Sequence, residues 1–240
     1  MRKEQASHVP GETPAPPRLW LRFGRAYWLV TTGLVVVGLA LVAWYVPDKG
    51  EPGWVHKVFY FHLPVALTMF FACFVVFAAS ALYLWKRETW CDDLAHAATE
   101  VAVLYCSAVL LTGMIWAKEA WGSWWVWTPR LTLSLVLWLF YVVYLVGRPW
   151  IRSPDRRAVV CAVYGVLAFL DVPLVYFSVL LMPEDPHPVS LELTPPMLRT
   201  VVFWMLPMAL ACVGVLHLRY RLLRQKRLGT ETEQGKSPPA

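Results

Sequence analysis

Charge is scarce in this chain. Only 16% of its 240 residues are Asp, Glu, Lys or Arg, while 58% are hydrophobic; a soluble domain carries about 25% charged residues. That balance excludes an ordinary soluble globule. Cysteine is scarce too: Cys73, Cys106, Cys161 and Cys212 lie inside apolar runs, and Cys91 in a polar connecting segment. No C-x-x-C occurs, which argues against thiol exchange by that motif, and no C-x-x-C-H, which excludes covalent haem attachment through it. The P-loop pattern G-x-x-x-x-G-K-[ST] is absent as well, so any use of ATP would belong to another chain. No internal repeat is visible. The opening 25 residues are polar and proline-rich, and no small-residue cleavage site follows the first apolar run, so no cleaved leader is expected.

What the chain has in abundance is long apolar sequence. Six runs stand out: Ala26–Val46, Val58–Trp85, Ala97–Ala117, Leu131–Gly147, Ala158–Met182 and Thr200–Leu218. A helix needs about 20 apolar residues to cross a hydrocarbon core of about 30 Å, and each run is near or above that length. None alternates, and all are about twice the length of a barrel strand. The expected fold is all-α, an integral membrane bundle of six transmembrane helices over residues 26–218. The tails, 1–25 and 219–240, are rich in Pro, Ser, Gly and charge and are expected to be disordered.

The basic residues give an orientation. Of 22 Lys and Arg, only Lys49, Lys57, Lys118, Arg130 and Arg199 lie in the segments following the odd-numbered runs. The others lie in the two tails and the two remaining connections. The positive-inside rule puts that majority, and both termini, in the cytoplasm. The bias also accounts for the net charge of +6, and no nucleic-acid partner is needed. Three connections then face outward: Pro47–Lys57, Lys118–Arg130 and Pro183–Leu198.

The middle outward connection is unusual. Trp116, Trp121, Trp124, Trp125 and Trp127 crowd into TGMIWAKEAWGSWWVWTPRLT, out of 14 tryptophans in the chain. Isolated tryptophans such as Trp28, Trp44, Trp54 and Trp150 suit membrane-interface belts. Five together, each with one N–H to satisfy, suit a large flat object to pack against. His62, in KVFYFHLPVA, and His187, in PEDPHP, lie on the same outward side. The sequence pattern places His62 at the start of the second helix, where Pro64 would fall in a first turn that tolerates it. Prolines on both sides stiffen His187 into an extended form. Two neutral imidazoles near a tryptophan cluster suit haem, whose iron accepts axial imidazole. Lys118 and Arg130 are candidates to pair with its propionates.

The tryptophan-rich stretch resembles the signature of the haem-handling membrane proteins of cytochrome c maturation. Its six spans and both histidine segments, KVFYFHLPVA and DVPLVYFSVLLMPEDPHP, are similar to those of the haem exporter protein C family, CcmC, over residues 25–220. The resemblance implies axial ligation of haem iron by His62 and His187. It implies also that Trp121, Gly122, Trp124, Trp125 and Trp127 bind the haem edge, with Trp116 beside them. The cargo it implies is haem b, held non-covalently and in transit. The implied partners are the periplasmic haem chaperone CcmE and ABC-type transporter subunits, in a bacterial inner membrane. The implied role is delivery and not enzymatic catalysis. Where the family has aspartate, this chain has Thr128, which can cap the fourth helix with Pro129 at its first position.

A two-haem membrane electron carrier of the cytochrome b kind is the alternative, with His96 and His217 as the second pair. Both lie at span ends near polar sequence, which favours a boundary role, because buried ligands would sit within the apolar runs. A solute transporter would show discontinuous helices at the midplane, and only Asp171–Pro173 hints at one. Asp171 in mid-span is expected to be protonated or hydrogen-bonded to a neighbouring helix.

Overall fold

The computed structural model describes residues 18–46, 53–181 and 193–236. Every regular element among them is helical: α1 (Arg18–Ala40), α2 (Gly53–Lys86), α3 (Thr89–Trp121), α4 (Pro129–Gly147), α5 (Pro154–Ala168), α6 (Asp171–Leu181) and α7 (Pro195–Lys236). A π-helical turn, Leu41–Tyr45, extends α1, and a 3-10 turn, Arg148–Trp150, extends α4. Six helical stretches are long and apolar enough to cross a bilayer, α5 and α6 together making one of them. The six-helix membrane bundle read from hydropathy is therefore what the chain forms.

The ends of these helices follow local chemistry. Arg87 takes a left-handed conformation (φ 60°) and donates its amide to the Tyr83 carbonyl at 2.8 Å, which turns α2 tightly into α3. Pro154 and Pro129 occupy first helical positions behind the caps Ser153 and Thr128, where proline costs no hydrogen bond. Pro173 explains the break between α5 and α6. It has no amide to give Phe169, so the Phe169 carbonyl accepts instead from Val172 at 3.0 Å in a tighter turn. Asp171 begins α6 there, 5% exposed, and its Oδ2 is buried with no hydrogen-bond partner.

The core runs along α2 and α3, where Val65, Met69, Cys73, Val101 and Cys106 meet Leu137 and Tyr141 of α4 and Trp204 of α7. The peripheral α1 rests on α7 through glycines. A Cβ on Gly38 would fall 2.7 Å from the Trp204 ring, and one on Gly214 would fall 2.7 Å from Tyr27. Small residues let membrane helices approach this closely. The Tyr27 hydroxyl also donates to the Leu210 carbonyl at 2.5 Å.

Three sequence expectations change. Pro64 is interior to α2 and not in its first turn, because the helix starts at Gly53, within the segment expected to be a loop. Asp92 and Asp93, which follow Cys91 in the polar segment between the second and third runs, belong to the first turns of α3 and are each 3% exposed. The segment from Arg219, expected to be disordered, continues α7 as helix to Lys236. Ion pairs explain the last two. Arg219 donates to both Glu100 oxygens at 2.5 and 2.6 Å, and Arg227 reaches Asp92 and Asp93 at 2.6 Å. Arg148, at the end of α4, reaches the same Asp92 oxygen at 2.6 Å.

Candidate functional site

The opposite end of the bundle, where α2 begins, α3 ends and α4 begins, carries the tryptophans. The last turn of α3 stops at Gly122, whose φ of 73° is open to glycine at no steric cost. Lys118 reinforces this terminus by donating to the Gly122 carbonyl at 3.0 Å. The chain then crosses to α4 without regular structure, with the Ser123 hydroxyl donating to the Trp125 carbonyl at 3.0 Å. Thr128 takes an extended conformation and its side chain accepts from the Leu131 amide, so the capping role expected of it is present.

At this end of the bundle four of the five indoles fall into two pairs. Trp116 and Trp121, on α3, meet edge to face with centroids 5.2 Å apart. Trp125 and Trp127 do the same at 5.6 Å. Trp124 is 55% exposed and Trp127 is 73% exposed. Trp125 is part-buried, and its Nε1 has no hydrogen-bond partner. Such an orphaned donor costs free energy unless something else accepts from it. The end of the bundle is thus an aromatic ledge that combines open ring faces with an unsatisfied indole N–H.

His62 stands on α2, turned towards α3. Its Nδ1 lies 2.8 Å from the Thr112 hydroxyl, and its Cε1 lies over Gly113, where an added Cβ would fall 3.4 Å away. Thr112 and Trp116 are four residues apart in one helix and share a face. The imidazole is therefore anchored one helical turn along α3 from Trp116, the indole that pairs with Trp121. His187 lies outside the described residues.

The two cations proposed for propionates both hold backbone carbonyls. Lys118 is on Gly122, and Arg130 reaches the Tyr176 carbonyl of α6 at 3.3 Å. Two more cations near this end were read from sequence only as markers of topology. Arg199 donates to the Tyr45 hydroxyl at 3.3 Å and Lys57 to the Ala43 carbonyl at 3.4 Å. Sequence reading missed Thr112 altogether; its one clue was the four-residue spacing to Trp116. The histidines of the two-haem alternative have other surroundings. His96 lies 3.8 Å from Glu100 on its own helix, and His217 lines a groove between α7 and α1 with Tyr27 and Trp28.

Residues 15–237 match the family model described as "CcmC: Heme exporter protein C". "Heme exporter protein C" of Rhodobacter capsulatus is 31% identical over 216 residues, covering 84% of this chain and 87% of that protein. The protein of the same name from Paracoccus denitrificans is 32% identical over 149 residues, 60% of this chain and 62% of that one. The one from Escherichia coli K12 is 29% identical over 172 residues, 68% of each.

Proposed function

We propose that this chain, which belongs to the haem exporter protein C family, holds haem b at the tryptophan-rich end of its membrane bundle and hands it on. The recipient on this reading is the periplasmic haem chaperone CcmE, with ABC-type transporter subunits alongside, and both termini are cytoplasmic. Membership in the family ties the chain to haem handling for cytochrome c maturation in a bacterial inner membrane. The observation that carries the finer reading is the anchored imidazole of His62 beside the exposed indoles of one bundle end.

Each group then has a task. His62 supplies one axial ligand to the iron, and His187 the other, from the connection that the resemblance assigns to it. Trp116, Trp121, Trp124, Trp125 and Trp127 offer ring faces to the porphyrin, and Gly122, without a Cβ, keeps the turn open to its edge. Lys118 exchanges its backbone carbonyl for a propionate, because an anionic acceptor makes a stronger bond than a neutral one, and Arg130 is the second propionate contact.

The test is a titration of the purified full-length chain in detergent with haem b, followed by absorption. His62→Ala and His187→Ala should each weaken retention or shift the spectrum. Spectra unchanged in both single variants would overturn the assignment. Two haems per chain would favour the electron-carrier alternative.

A further inference from the structure

We infer that Thr112 is a positioning residue for His62, fixing its imidazole in the tautomer that presents Nε2 to haem iron. The inference rests on the proposed reading of His62 as an axial ligand and adds a residue that reading does not contain.

Proton counting supports it. A threonine hydroxyl has one proton and two lone pairs. Thr112 spends its proton inside α3, donating to the Ala108 carbonyl at 2.7 Å, with Val109 a longer second acceptor at 3.2 Å. Towards His62 it can therefore only accept. The 2.8 Å contact with Nδ1 then requires the proton to be on Nδ1. In neutral imidazole that leaves the lone pair on Nε2. A histidine ligand set in this way by a hydrogen bond through its other nitrogen is a general feature of metal sites, where the partner fixes tautomer and ring orientation.

Packing supports the same conclusion. The β-branched side chain of Thr112 has little rotameric freedom in a helix, so the acceptor is held in place. Gly113 admits the ring edge carrying Nδ1 and Cε1 against α3, and a Cβ there would just reach van der Waals contact. A longer side chain at 113 would push the ring away. The chain Ala108 carbonyl, Thr112 hydroxyl, His62 Nδ1 thus fixes both which nitrogen faces α3 and how the ring is turned.

The experiment uses the full-length chain with 15N-labelled histidine. Ring-nitrogen NMR of the haem-free protein, with the His62 signals identified by their loss in His62→Ala, reports the tautomer directly. The expected result is a proton on Nδ1. Thr112→Val, of nearly the same shape but with no acceptor, should shift the tautomer and lower haem b affinity about 10–100-fold, the usual effect of losing such a partner. Thr112→Ser should restore both. An Nε2-protonated His62 in the native protein would overturn the inference, and this measurement needs no variant at position 112 to fold. Native tautomer and affinity in Thr112→Val would overturn it equally. If His62→Ala keeps the native haem spectrum, His62 is not the ligand and both readings fall. If His62→Ala loses haem while Thr112→Val is native throughout, only the role of Thr112 falls.

Discussion

Replacing Thr128 with Ala tests whether this threonine, at the position where the resemblance implies aspartate, works as a helix cap. Its hydroxyl accepts from the Leu131 amide at 3.4 Å, longer than the usual 2.7–3.2 Å of such bonds. Losing a cap costs about 0.5–2 kcal/mol, and the long contact puts this one in the lower half of that range. Thr128 is 6% exposed, so the substitution also removes a buried methyl group worth about 0.8 kcal/mol. Together the loss should be about 1–2 kcal/mol. It should not be larger, because the Thr132 amide to Thr128 carbonyl bond at 2.9 Å and the preset φ of Pro129 survive the change.

Thr128→Asp separates capping from charge. Aspartate caps as well as threonine does, and a negative charge at a helix N-terminus adds about 0.3–1 kcal/mol. Burial of the carboxylate opposes that gain, so stability should stay near native. The assay is thermal unfolding in detergent, followed by tryptophan fluorescence, together with haem b titration well below the transition. Capping predicts a destabilised Thr128→Ala chain with native haem affinity and a Thr128→Asp chain native in both. A marked loss of haem affinity in Thr128→Asp, with a Thr128→Ala chain as stable as native, would refute the reasoning. It would mean that charge beside the anionic propionates decides the matter.

Two further outcomes follow from the geometry. Arg227→Met removes every bond from Arg227 to Asp92 and Asp93, and a hydrogen bond to a charged group contributes about 1.5–3 kcal/mol. The helix beyond Arg219 should loosen, and trypsin should cut it faster than in the native chain; equal rates would show that the pairs do not dock it. Trp124→Ala and Trp125→Ala should each weaken haem b retention more than Trp150→Ala, since Trp150 is 81% exposed at the far end of α4. Equal losses at all three positions in the titration would remove the special status of the tryptophan turn.

Hydropathy made the spans legible because in a bilayer the apolar run is itself the structural requirement. The starts of α4 and α5 were legible as well, since Thr128–Pro129 and Ser153–Pro154 encode a cap and a first turn within a few residues. Composition misled wherever a polar residue had a distant partner. Arg219 and Arg227 resemble any basic tail until Glu100, Asp92 and Asp93 are seen to lie against them. Local pattern erred at Pro64, because the residues ahead of it, though ending an expected loop, carry on a helix that hydropathy did not require.

The candidate site divides along the same line. Its indoles are legible because they crowd into one stretch of chain. Thr112 is not, since nothing in α3 marks which hydroxyl meets an imidazole 50 residues earlier. The two ends of the bundle also differ in how firmly their charges are held. Arg148 and Asp92 are 8% and 3% exposed, and breaking such a buried pair costs about 3–5 kcal/mol, which suits a permanent joint. Lys118, at the other end, rests on a neutral carbonyl at 3.0 Å, a contact that a carboxylate can displace. On the proposed reading that difference is what delivery requires. A cargo in transit is best gripped by groups whose resting partners are weak enough to give up and close enough to return to when the cargo leaves.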